Sequence, residues 1–156
     1  MPALGTTEGY DQIAGYDGNT EWVTLDIDGD GKIDLVNTAT LADGKVWGGD
    51  GAAYWKVYKN TGTGFATTAT QWTLPALGTT EGYDQIAGYD GNTEWVTLDI
   101  DGDGKIDLVN TATLADGKVW GGDGAAYWKV YKNTGTGFAT TATQWTLPAL
   151  GTTEGY

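Results

Sequence analysis

Asp26-Ile27-Asp28-Gly29-Asp30-Gly31-Lys32-Ile33-Asp34-Leu35-Val36 decides how the whole chain is read. Before it stands Glu21-Trp22-Val23-Thr24-Leu25, and Val23, Leu25 and Ile27 alternate with the period of a half-buried strand. After it, Ile33 to Thr40 is again rich in β-branched residues and reads as a second strand. Two strands joined by an Asp- and Gly-rich stretch make a hairpin, with glycine where the backbone turns sharply. Ala52 to Lys59 (AAYWKVYK) reads as a third strand, with Trp55 and Val57 on one face and Tyr54, Lys56 and Tyr58 on the other. Asn60-Thr61-Gly62-Thr63-Gly64 is a turn, and Phe65 to Leu74 a weaker fourth strand closed by Pro75. Helical periodicity is absent.

The pattern repeats. Residues 2–74 recur without one substitution as 75–147, and 148–156 start a third copy that stops at Tyr156. Natural tandem repeats drift, so identical copies point to a designed or consensus-built chain, with very recent duplication as the alternative. The domain reading is one repeat over 2–74, a second over 75–147 and an overhang over 148–156. The overhang duplicates Pro2–Tyr10. It either fills that segment's slot at a junction with the next chain or simply preserves the last strand.

Four strands per repeat, in an antiparallel meander with aromatics on both faces, cannot cover themselves, and their edges stay open. Stacking such sheets radially around an axis answers both problems, which makes the expected fold an all-β propeller with one blade per repeat. Two blades do not close a ring. Closure then comes from whole chains, as a cyclic trimer with six blades or a tetramer with eight, so the expected partner is the chain itself.

Composition narrows the function. The chain has 156 residues, 21 Asp and Glu against 8 Lys and Arg, and a net charge of −13. A surface so acidic suits neither nucleic acid nor anionic lipid. With no Cys and no His, disulfides, thiolate or imidazole metal sites and His-based triads are excluded. No apolar run reaches membrane-spanning length, and Met1-Pro2-Ala3 is not expected to open a signal peptide.

The Asp-rich loop carries the chemistry. Asp26, Asp28, Asp30 and Asp34 take loop positions 1, 3, 5 and 9, and Asp99, Asp101, Asp103 and Asp107 repeat them. Hard oxygen ligands at this density suit Ca²⁺, which takes 6–8 oxygens in loose geometry, better than octahedral Mg²⁺. The carbonyls of Lys32 and Lys105, at position 7, are the expected backbone ligands. Carboxylates about 5 Å apart repel by roughly 1–3 kcal/mol at an effective dielectric of about 20–80, and a cation turns that repulsion into attraction. The expectation is one Ca²⁺ per repeat, two per chain. The alternative is a metal-free Asp/Gly turn. An EF-hand fits poorly, because the flanks are strands and position 12 is Asn37 or Asn110, not Glu.

The loop and its context, W-x-x-L-D-x-D-G-D-G-x-x-D-L-V followed by VWGG, YWKVYKNTGTGF and W-x-L-P, resemble the FG-GAP/VCBS repeat. That family includes blades of integrin α subunits, fungal propeller lectins and secreted bacterial propellers. The resemblance implies a four-stranded blade with Ca²⁺ in its first hairpin. It carries the ligand roles over to Asp26, Asp28, Asp30, the Lys32 carbonyl and Asp34, and to Asp99, Asp101, Asp103, the Lys105 carbonyl and Asp107. Family rings often have seven blades, a number that two blades per chain cannot give without one left over.

Other residues admit two readings. Trp22, Trp47, Trp55, Trp72, Tyr10, Tyr16, Tyr54 and Tyr58 recur in the second copy and serve either blade packing or a carbohydrate platform beside Gly48-Gly49-Asp50-Gly51. Asp11, Asp17, Asp43, Asp50, Glu8 and Glu21 could in principle supply a glycosidase pair, but their spacing favours solvated turns. The expected protein is therefore a calcium-binding, self-assembling propeller fragment without catalysis, with a carbohydrate-binding lectin as the alternative.

Overall fold

A computed structural model describes residues 22–38, 53–75, 95–111 and 126–148. Each repeat contributes one four-stranded antiparallel meander. The first sheet comprises β1 (Trp22–Leu25), β2 (Asp34–Asn37), β3 (Tyr54–Tyr58) and β4 (Thr70–Thr73), hydrogen-bonded in that order. The second repeats it with β5 (Trp95–Leu98), β6 (Asp107–Asn110), β7 (Tyr127–Tyr131) and β8 (Thr143–Thr146). No helix occurs among the described residues. Glu8, Tyr10, Asp11, Tyr16, Asp17, Glu21, Asp43, Trp47, the 48–51 loop with Asp50, their second-copy equivalents and most of the 148–156 overhang lie outside them.

Register sorts the side chains onto two apolar faces. Leu35 opposes Tyr58, and with Trp22 they form one buried cluster, joined by partly buried Phe65 and Ala69. Val36 opposes Val57 and Trp55 opposes Trp72, so these four residues line the other face. The expected alternation of Trp55 and Val57 against Tyr58 is thus present. Where the sequence suggested longer strands, β1 stops at Leu25 and β2 starts at Asp34, because Asp26 and its neighbours turn their hydrogen bonds into the loop. Phe65 makes only an isolated bridge to Asn60, and β4 begins at Thr70. The intervening Ala66-Thr67-Thr68-Ala69 has no large apolar side chain to bury.

The two sheets pack face to face in one order. Val36, Trp55, Val57, Trp72 and Leu74 of the first share a core with Trp95, Leu108, Tyr131 and Phe138 of the second. Phe138 sets its edge against Trp55 at 5.5 Å and 88° and against Trp72 at 6.4 Å and 76°. The Phe138 amide donates to the Thr73 carbonyl at 2.8 Å. Burial of each such side chain is worth about 1.5–3 kcal/mol.

Identical sequences therefore occupy unlike surroundings. Trp55, Trp72 and Ile27 are fully buried, whereas Trp128, Trp145 and Ile100 are only half-buried. Conversely, Phe138, Gly137 and Asn133 are buried, whereas Phe65 and Asn60 are half-buried and Gly64 is exposed. The difference is confined to these residues: Trp22, Leu35 and Tyr58 are as buried as Trp95, Leu108 and Tyr131, and Val109 and Val130 as buried as Val36 and Val57.

Candidate metal centre

Asp26 directly follows β1, Asp28 lies in the loop and Asp34 opens β2. Folding the hairpin brings these three together. Gly29 and Gly31 take φ values of 75° and 86°, a left-handed conformation open to glycine, and the chain curls so that amides point inward. The Asp30 amide donates to Asp26 Oδ1 at 3.0 Å and to Asp28 Oδ1 at 3.2 Å, and the Gly31 amide donates to Asp26 Oδ2 at 2.8 Å. The second loop repeats this, with Asp103 and Gly104 amides on Asp99 at 3.0 Å and Gly102 added at 2.8 Å.

Asp26, Asp28 and Asp34 each offer a carboxylate oxygen within 4.8 Å of the others, and so do Asp99, Asp101 and Asp107. Oxygens across a Ca²⁺ ion, each about 2.4 Å from it, stand about 4.8 Å apart, so each triad fits within one ion's shell. Two triads able to hold a metal ion, one per repeat, are thus in place.

Asp34 and Asp107 are the telling members. Each is 1% exposed. Asp34 Oδ1 accepts the Asn60 amide at 2.8 Å and Asp107 Oδ1 the Asn133 amide at 2.9 Å. Their Oδ2 atoms are buried with no hydrogen-bond partner. A buried carboxylate oxygen without a donor is costly, and either a proton or a bound cation removes that cost. Burial holds both carboxyls above their ordinary value; the Asn60 and Asn133 amides oppose it, and the neighbouring Asp28 and Asp101 charges add to it.

The other expected ligands sit differently. Asp30 faces solvent, where its carboxylate accepts the Lys32 amide at 2.8 Å and the Lys32 ammonium at 2.7 Å. The Lys32 ammonium, hydrogen-bonded to Asp30, holds that carboxyl below its ordinary range. Asp103 repeats the pair with Lys105, at 2.9 Å and 3.2 Å. Neither Asp30 nor Asp103 belongs to its triad.

Two residues per repeat that sequence reasoning did not single out complete the site. Lys59 Nζ lies 2.8 Å from Asp28 Oδ2, and Lys132 Nζ 2.8 Å from Asp101 Oδ2, each supplying a positive charge from the third strand's end. Asn60 and Asn133 begin Asx turns, accepting the Gly62 and Gly135 amides at 2.8 Å, while their own amides reach back to Asp34 and Asp107. The Asn-x-Gly spacing was the available signal for this turn.

No protein-family model, curated protein or solved structure matches the chain.

Proposed function

We propose that the chain is a designed, internally symmetric calcium-binding β-propeller fragment, without catalysis, that closes into a ring by head-to-tail association of whole chains. The single observation that carries the reading is the junction between the repeats. The Trp55/Trp72 face of one sheet is covered by the Phe138 face of the next. Half-buried Trp128 and Trp145 present the same face at one end, and half-buried Phe65 the complementary one at the other. A contact of this kind joins unlike surfaces, so a second copy can repeat it and the series can close into a ring of three or four chains. Ca²⁺ follows from the all-oxygen triads and their buried, unpartnered Asp34 and Asp107 oxygens. Its ligands are Asp26, Asp28, Asp34 and their second-copy equivalents, with Asp30, Asp103 and the Lys32 and Lys105 carbonyls as the further ligands the family resemblance implies.

The test is molar mass in solution. Three or four times 16.4 kDa supports the ring, and a single 16.4 kDa species at high concentration in calcium contradicts it. The carbohydrate reading is the weaker one, because Trp22, Trp55, Trp72 and Trp95 are spent on packing.

A further inference from the structure

The two Asp loops of one chain touch. A Cβ placed on Gly29 would stand 2.9 Å from the Gly104 carbonyl oxygen and 3.0 Å from Lys105 Cγ. One side chain joins them. Asn133, 7% exposed, donates its amide to Asp107 Oδ1. It donates through Nδ2 to the Ile106 carbonyl at 2.9 Å and to the Ile27 carbonyl at 2.7 Å. Ile106 precedes the triad member Asp107, and Ile27 lies between the triad members Asp26 and Asp28. Asn133 thus holds a ligand of the second loop and the backbone of the first.

Asn60 repeats every bond but one. Its amide reaches Asp34 Oδ1, its Nδ2 reaches the Ile33 carbonyl, and its Oδ1 accepts Gly62. The bond to a preceding sheet's loop carbonyl, which Asn133 makes to Ile27, has no counterpart at Asn60 among the described residues. The matching carbonyl is that of Ile100, at the opposite end of the chain.

We infer that Asn60 and Asn133 make cation capture and sheet docking one linked equilibrium, with Asn60 of one copy bonding the Ile100 loop of the preceding copy. This rests on the calcium and ring reading above. Without a cation, the crowded carboxylates push the loop apart and carry the Ile carbonyl away from its Asn donor. A captured cation draws the loop closed and sets that carbonyl where docking needs it. Linkage is reciprocal, so whatever factor docking adds to cation affinity, the cation adds to docking.

The experiment titrates the full, calcium-stripped chain with calcium chloride against a chromophoric chelator. It is run at two protein concentrations, one where mass measurement finds single chains and one where it finds rings. The expected result is a midpoint about tenfold lower in the assembled sample, within the range of coupling seen between linked sites. In Asn60→Ala, which leaves the Asn133 junction intact, the midpoint is expected to be the same at both concentrations. As a check on the native chain alone, the dissociation constant for assembly should fall by the same factor when calcium is added. Equal midpoints in the native chain, with two ions bound and rings formed, overturn the linkage but leave the calcium and ring reading standing. A full shift retained in Asn60→Ala removes the Asn from its role. No bound ion, or no species above one chain, overturns that reading and the linkage with it.

Discussion

Gly137 lies so close against Thr73 that a Cβ built on it would stand 2.9 Å from the Thr73 Cβ and 3.0 Å from its backbone nitrogen and oxygen. The equivalent glycine of the first copy, Gly64, has nothing among the described residues within 4 Å of such a Cβ. Neither has a left-handed φ, so an alanine there meets no backbone strain. Gly137→Ala should therefore wedge the two sheets apart and destabilise the single chain by about 1–3 kcal/mol. Gly64→Ala should leave single-chain stability unchanged within about 0.5 kcal/mol, yet block assembly, because a neighbouring copy would bring its own Thr146 to that place. Urea unfolding and light-scattering mass check the pair. A Gly64→Ala chain that assembles like the native one contradicts the proposed contact.

The unpartnered oxygens of Asp34 and Asp107 define a second test. Asn is nearly isosteric, and its side-chain oxygen keeps the bonds from the Asn60 and Asn133 amides. Asp34→Asn with Asp107→Asn should unfold no more easily than the native chain in chelator, since a buried charge has gone. In calcium about 100-fold above the native Kd, it should lack roughly 2.7 kcal/mol of stabilisation per site. Guanidinium unfolding with and without calcium gives both numbers.

How much of this was legible varies by residue. The alternation of Trp55 and Val57 against Tyr58 is a period-2 pattern, and the sheet displays it. The hairpin between Asp26 and Asp34 is equally plain, because glycines and clustered carboxylates have few other uses. Lys59 and Asn60 were not legible as site residues. Asn60 reaches Asp34 across a separation of 26 residues, and only the β2–β3 register makes them neighbours. Asp30 looks like its fellow aspartates in sequence, but Lys32 two residues on gives its carboxylate a nearer partner. No sequence reading could separate Trp55 from Trp128, since their chemical neighbours along the chain are the same and only the covering sheet differs.

Lys59 and Lys132 occupy one oxygen each of Asp28 and Asp101, as a tethered cation would. Their ammonium groups are partly exposed and screened by solvent, so neither pair adds much to stability. Lys59→Met with Lys132→Met should leave stability in chelator nearly unchanged. Removing a positive charge next to the arriving ion should tighten calcium binding by about threefold to tenfold. Calorimetric titration checks the direction, and weaker binding would show that the lysines help the ion.

Acidity should act oppositely in the two forms. Burial raises the Asp34 and Asp107 carboxyls above their ordinary 3.8, so the folded chain holds those protons more tightly than the unfolded one. Stability from this source is present at low pH and is lost as pH rises through the raised value. The lowered carboxyls of Asp30 and Asp101, held by Lys32 and Lys132, act below 3.8 and so fall outside that window. Calcium-free protein should thus lose stability as pH rises from 3.8 toward neutrality, and protein in calcium should gain it, because the ion competes with those protons. Melting temperatures across that range decide it. Asp34→Asn with Asp107→Asn should flatten both slopes.

The most direct measurement is isothermal titration of the calcium-stripped chain with calcium chloride at neutral pH. Two ions per chain, falling to none or to more than tenfold weaker binding in Asp34→Asn with Asp107→Asn, is the predicted result. A native chain that takes up no calcium at millimolar concentration, or one whose binding survives that double substitution intact, contradicts the account.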